Sequence, residues 1–145
     1  MKVVARALPY NEYSSYAERY TEDSIRWWLD HVKGYSLPML IGHEKRSVIG
    51  EWTDFKSIPS DGLYVYGEVK DPETIKALRD GVHSEVSIGS IVADATNRNN
   101  RREARVYKEG DEIKFHKYDV KNAFIEEVSI VDRGAFSGTW IRETT

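Results

Sequence analysis

The sequence predicts an α+β fold, a mainly antiparallel β-barrel of about seven strands with two or so flanking helices. Three observations predict it. Short runs rich in β-branched and aromatic residues recur along the chain, separated by Gly, Pro, Asn and Asp turn signals. Two segments carry helix caps and helical spacing. With 145 residues, 40% of them apolar and 31% charged, the chain suits one domain spanning residues 1–145 that can bury a core of its own.

Residues 2–8 read as the first strand, stopped by Pro9. Residues 11–20 are polar and tyrosine-rich and read as a loop. A helix follows. Thr21 is its expected N-cap, and Glu22 and Asp23 occupy the first turn, where the helix dipole favours acids. Ile25, Trp28, Leu29 and Val32 form one apolar stripe, and Lys33 and Gly34 mark the end. Residues 39–41 are a short apolar run that delivers Gly42-His43-Glu44. Residues 48–52 and 63–69 read as strands, with a turn at Pro59-Ser60-Asp61-Gly62 in which proline presets φ and glycine accepts a positive φ. Asp71, Pro72 and Glu73 are the N-cap, N1 proline and first-turn acid of a second helix, which points Ile75 and Leu78 inward and ends at Gly81. Residues 85–92 alternate as a strand and residues 97–100 form a loop. Residues 103–108 and 112–117 pair as a hairpin around Glu109-Gly110-Asp111, and residues 124–131 are the last strong strand.

Composition excludes several functions. The absence of cysteine removes disulfides, thiolate metal sites and a cysteine nucleophile together, and fits a reducing compartment. His31, His43, His83 and His116 are scattered without a short ligand motif, so no metal and no cofactor is expected. A net charge of −3 gives no general attraction to nucleic acid. Arg98, Arg101, Arg102, Arg105 and Lys108 cluster, but Glu103, Glu109, Asp111 and Glu112 dilute them, and the segment reads as a solvated hairpin. The nine tyrosines and four tryptophans beside it keep a small single-strand-binding barrel as a rival reading. No apolar run reaches the ~20 residues of a membrane span, and residues 1–6 lack a signal-peptide core, so the protein is expected to act inside the cell that makes it.

Three segments can carry chemistry. In Glu85-Val86-Ser87-Ile88-Gly89, alternation sends Val86 and Ile88 to the core and Ser87 to the other face, beside a glycine that leaves room. Read alone, Ser87 is either a plain strand serine or a nucleophile that a substrate backbone can reach. His43 follows a buried strand and a glycine, and an imidazole there suits a general base as well as a surface or capping role. In Glu126-Glu127-Val128-Ser129-Ile130-Val131, Glu127 and Ser129 share the face opposite Val128 and Ile130. A carboxylate there either orients an imidazole or belongs to a solvated sheet edge.

The order and phrasing of these segments resemble the prohead serine protease family of HK97-like bacteriophages. The resemblance is carried by Pro38-Met39-Leu40-Ile41-Gly42-His43, Val48-Ile49-Gly50-Glu51-Trp52 and Asp61-Gly62-Leu63-Tyr64-Val65-Tyr66-Gly67-Glu68-Val69. It continues in Ser87-Ile88-Gly89 and Glu127-Val128-Ser129-Ile130-Val131, and covers residues 38–136. Where family members carry a proline–alanine pair, this chain has Asp132-Arg133-Gly134-Ala135. The resemblance implies a barrel like that of the herpesvirus maturation proteases and a serine endopeptidase with Ser87 as nucleophile, His43 as base and Glu127 as third member. His116 is the alternative third member, because the herpesvirus enzymes use a second histidine. For the oxyanion, backbone N–H groups near Gly89 or the Arg101-Arg102 pair are the candidates. The implied substrates are scaffold, capsid-protein precursor and the protease itself, cut inside the assembling prohead in the host cytoplasm. A homodimer is implied by analogy, and Trp27, Trp28 and Tyr35 are either docking anchors or the core and rim of the first helix. The rival within the same fold is an inactive capsid-assembly module.

Overall fold

The computed structural model describes residues 1–96 and 98–144; Asn97 and Thr145, and the side chains of Thr96 and Arg98, lie outside the described residues. The strands are β1 (Lys2–Pro9), β2 (Glu18–Arg19), β3 (Leu37–Ile41), β4 (Gly50–Ile58), β5 (Gly62–Val69), β6 (Glu85–Val92), β7 (Val106–Glu109), β8 (Glu112–Phe115), β9 (Tyr118–Asp119), β10 (Ala123–Val131) and β11 (Trp140–Glu143). The helices are α1 (Arg26–His31), α2 (Pro72–Arg79) and the single turn α3 (Arg102–Arg105). Seven strands form one sheet in the order β11-β1-β5-β4-β3-β10-β6, curled into a half-barrel. Its two edges approach each other where Ile141 N donates to Ser84 O at 3.2 Å.

Alternation builds this core. Val3 and Ala5 on β1, Leu63 and Val65 on β5, and Val128 and Ile130 on β10 point into the curl, and each is buried. Trp52 fills the centre, and its indole N–H donates to Val128 O at 3.0 Å, which satisfies its one polar atom. Ile25, Trp28 and Val32 cover the sheet as the stripe predicts. Each such burial contributes about 1.5–3 kcal/mol. Trp28 is therefore core, packed edge-on against Phe55, while Trp27 and Tyr35 are exposed.

The sheet is mainly antiparallel, as expected, but not purely so: five of its six strand pairings are antiparallel and one is parallel. β3 and β10 run parallel, pairing Met39 with Val128, Leu40 with Ser129 and Ile41 with Ile130. Apolar alternation is the same for a strand read in either direction, and the long connection between these two strands permits either. Membership of the sheet also differs from expectation. The hairpin β7–β8 stands apart as its own pair, and the short β11, only four residues long after Ser137-Gly138, supplies the seventh strand.

Local signals fared unevenly. Asp71 caps α2 as expected, accepting from Thr74 N at 3.0 Å, and Gly81 takes φ +74°. The first helix opens differently. Residues Asp23–Ile25 form a tight 3-10 turn with no side-chain cap at its start or at the start of α1, so Thr21 does not act as the expected N-cap. The buried Ser24 hydroxyl instead accepts from Thr21 N at 2.8 Å and so ties the preceding residue to the turn. In the turn before β5 it is Ser60 that takes the positive φ, +63°. Gly62 is needed for a different reason, because a Cβ there would sit 2.7 Å from Leu8 O.

Asp94 anchors the segment that leads from β6 towards α3. Its carboxylate accepts from the Tyr118 hydroxyl, from Lys121 N at 3.0 Å and from Asn122 N at 3.1 Å. Burial alone would raise its pKa, but these hydrogen bonds together outweigh burial and hold it below the ordinary carboxylate value. A depressed folded-state pKa contributes stability that is present above the unfolded pKa and is lost as pH falls through the folded value. Asp94→Asn should therefore cost about 1 kcal/mol at pH 7, discounted for partial exposure, and the gap to wild type should close below about pH 4 in denaturant titrations.

Candidate active site

Three backbone devices bring the candidate residues together. The first is a β-bulge in β10. Ile125 pairs with Ser90 and Glu127 with the adjacent Gly89, so Glu126 is an extra residue. Before it, Ala123 and Ile125 are buried; after it, Val128 and Ile130 are. The inward parity thus switches, and Glu127 and Ser129 turn to the face opposite the core. Without the bulge Glu127 would follow Ala123 and Ile125 into the interior.

The second device is the end of β3. Gly42 and His43 both take left-handed φ, +57° and +61°, in a tight turn closed by Glu44 N donating to Ile41 O at 3.0 Å. Two successive positive φ values at the centre of a turn define the I′ geometry, which histidine enters at a steric cost. The parallel pairing of β3 with β10 delivers this turn beside Ser129. The Ser129 hydroxyl, fully buried, accepts from His43 N at 2.9 Å and donates to Glu127 Oε2 at 2.7 Å. One side chain therefore holds the backbone of His43 and the carboxylate of Glu127. Nothing in the sequence assigns Ser129 a role of its own. Its signal was present in the shared face with Glu127.

The third device is the β6–β10 ladder, which sets Ser87 directly opposite Ser129. The result is a chain of side chains. Ser87 Oγ lies 3.1 Å from His43 Nε2, and His43 Nδ1 is hydrogen-bonded to Glu127 Oε1. Glu127 is largely buried while the imidazole is half open to solvent. Gly89 leaves the carboxylate its space: a Cβ there would overlap Glu127 Oε1. Sequence reasoning named all three residues, and the structure brings them together. It does not bring in His116, which stacks on Tyr107 with ring centroids 4.4 Å apart, nor His83, whose Nδ1 lies 3.3 Å from Asp132 Oδ1.

Ser87 and His43 open onto a cavity of about 410 Å³. Tyr20 and Phe136, in edge-to-face contact, supply its apolar wall, and burial raises the Tyr20 phenol so that it stays neutral. Glu18 and Arg102 line it as well. The arginine segment is not the solvated hairpin expected from sequence. Arg102 donates to both oxygens of Glu18, at 3.0 and 2.7 Å, and lies over the Tyr16 ring at 3.8 Å. The hydrogen bond to Glu18 raises Arg102 above its ordinary value. Arg105 is buried, donating to Glu18 at 2.9 Å and to the carbonyls of Asn100, Tyr16 and His116. These guanidinium groups staple the segment to the cavity wall. Nothing in the local sequence around Glu18 announces that role. Among the described residues no group of acidic or histidine side chains could hold a metal ion.

The sequence model of the caudovirus prohead serine proteases matches residues 2–145. No curated protein sequence matches the chain. Among solved structures, the chain is similar to the protease of Kaposi's sarcoma-associated herpesvirus in complex with a hexapeptide phosphonate inhibitor, with a TM-score of 0.53 and 14% identity over 97% of this chain and 63% of that one. A structure of the same viral protease with an allosteric inhibitor gives 0.52 and 13%, over 97% and 73%. The chain thus spans 63% of the first of these proteins, and at such identities the likeness is one of fold.

The contact between Gly89 and Glu127 yields a direct test of the side-chain chain. Gly89→Ala should push the carboxylate off the imidazole. The low-field Nδ1 proton resonance of His43 in the proton NMR spectrum should then disappear while the fold persists; an unchanged resonance would contradict the assigned contact.

Proposed function

Because the chain belongs to the caudovirus prohead serine protease family, we propose that it is a serine endopeptidase of capsid maturation in which Ser87 is the nucleophile, His43 the general base and Glu127 the orienting carboxylate. The observation that carries this reading is the His43 ring, 3.1 Å from Ser87 Oγ on one nitrogen and bound by Glu127 on the other. A carboxylate on Nδ1 keeps the proton there and leaves Nε2 free to accept one.

In the proposed reaction the Ser87 Oγ–H donates to His43 Nε2, and the oxygen attacks a peptide carbonyl as the proton moves to the imidazole. Glu127 stabilises the imidazolium. Its other oxygen, held by Ser129, cannot swing away. His43 then gives its proton to the leaving amine, the C–N bond breaks, and an acyl-enzyme remains on Ser87. Water, deprotonated by His43, cleaves the ester and restores the serine. For the oxyanion the candidates are backbone N–H groups near Gly89 and the Arg101-Arg102 pair; Arg102 lines the same cavity as Ser87. The half-open cavity suits an extended chain rather than a small enclosed metabolite.

The substrates of this reading are scaffold and capsid-protein precursor, and the protease itself, cut within the assembling prohead in the host cytoplasm, with a homodimer as the working form. The test is intact-mass spectrometry of the cognate capsid precursor incubated with wild type and with Ser87→Ala. Wild type should give discrete fragments, and Ser87→Ala should cut at least ~10³-fold more slowly. Equal fragmentation by both would remove Ser87 from the mechanism, and intact precursor with both would favour an inert assembly module.

A further inference from the structure

Arg133 belongs to the stretch Asp132-Arg133-Gly134-Ala135 that stands where the resembled family carries a proline–alanine pair, and it lines the cavity that holds Ser87 and His43. Its side chain is exposed and makes no hydrogen bond or ion pair with any described residue. The other charges lining this cavity, Glu18 and Arg102, are already committed: Glu18 is sunk in the wall and bound by both Arg102 and Arg105. Glu127, outside the lining, is bound to His43 and Ser129. Of the nearby acids that do not line the cavity, Glu85 accepts from Gly134 N at 3.0 Å and Asp132 lies 3.3 Å from His83. The cavity's charged lining apart from His43, namely Glu18, Arg102 and Arg133, therefore carries one net positive charge, +2 from the arginines less 1 from the glutamate, on a chain whose net charge is −3.

A planar guanidinium with five donors and no partner among the described residues, at the rim of a cleft with an apolar wall, is suited to a carboxylate that arrives with a ligand. The loop bearing it is held in place. Gly134 is packed so closely that a Cβ there would lie 2.5 Å from Val86 O, one residue before Ser87. The backbone beside Arg133 is thus packed against the strand that carries Ser87. Adjoining the cavity along β6, past Ser90, a second groove is lined by Arg101, a further exposed cation without a partner among the described residues, and by Glu103. We propose that the rim at Arg133 is an anionic subsite, which selects peptides bearing an Asp or Glu side chain close to the bond presented to Ser87. This deepens the peptidase reading above and rests on it.

The probes are fluorescein-labelled decapeptide libraries of Ala, Ser, Val and Leu, with Glu, Gln or Lys at one fixed position. Binding to Ser87→Ala, read by fluorescence anisotropy, measures the subsite without turnover. The Glu library should bind about fivefold tighter than the Gln library, an advantage that shrinks with added salt. Adding Arg133→Gln to Ser87→Ala should erase the advantage, and adding Arg133→Glu should transfer it to the Lys library. The exposed position leaves folding intact, while Arg101→Gln reports whether the adjoining groove contributes instead. Equal binding of the Glu and Gln libraries, or a Glu preference untouched by Arg133→Glu, overturns the proposal. Digestion of the same libraries by the wild-type protein separates the two readings. A binding preference without cleavage supports the subsite and removes the peptidase, whereas cleavage without a preference for Glu removes the subsite and keeps the peptidase.

Discussion

The buried hydroxyl of Ser129 is the contact on which the rest of the candidate site depends. It accepts from the backbone of His43 and donates to Glu127, and so joins the end of one strand to the face of its neighbour. That bridge exists because two strands run parallel and one of them is bulged. Parallel pairing brings the exit of β3 alongside Ser129, and the extra residue Glu126 rotates Glu127 and Ser129 out of the core. Each feature breaks the simplest antiparallel pattern, and each breaks it at the site.

The arrangement also explains where strain is tolerated. His43 sits at φ +61°, an uncommon conformation for a residue with a side chain. It is held there by the hydrogen bond to Ser129, by Gly42 N donating to Ile130 O at 3.0 Å, and by the turn that Glu44 closes. Such a turn projects the imidazole back across β10 towards Glu127 and Ser87, a direction an ordinary extended residue would not take. On the other side of the cavity the work is done by buried charge. Glu18 bound by two arginines fixes the segment that follows β6, and an ion cluster of this kind specifies position more than it adds stability.

Legibility in the sequence followed the range of the forces involved. The second helix was readable because Asp71, Pro72 and Gly81 act within a turn of one another. The first helix was half readable: its stripe was right, but Thr21 does not cap it, and Ser24, whose hydroxyl donates to Val120 O at 2.6 Å across a separation of 96 residues, ties the turn to the rest of the fold instead. The antiparallel character of most of the sheet was readable, but the parallel pairing of β3 with β10 was not, since Met39 to Ile41 presents the same faces either way. The candidate site residues Ser87, His43 and Glu127 were each ambiguous alone and became legible through the ordered resemblance of several segments. The bulge left a trace that a parity count could find: Ala123 and Ile125 are odd-numbered, Val128 and Ile130 even, with two glutamates between them. Glu18 and Arg105 left none, because their pairing spans 87 residues.

The central claim is that Ser87, His43 and Glu127 act as one unit, and the reactivity of the serine measures it most directly. The protein would be treated with a fluorophosphonate probe and the modified residue mapped by mass spectrometry, in wild type, His43→Ala and Glu127→Gln. The account predicts a single adduct on Ser87 in the wild type, none in His43→Ala, and much slower labelling in Glu127→Gln. Labelling of another serine, or of Ser87 at the same rate in all three proteins, would contradict it.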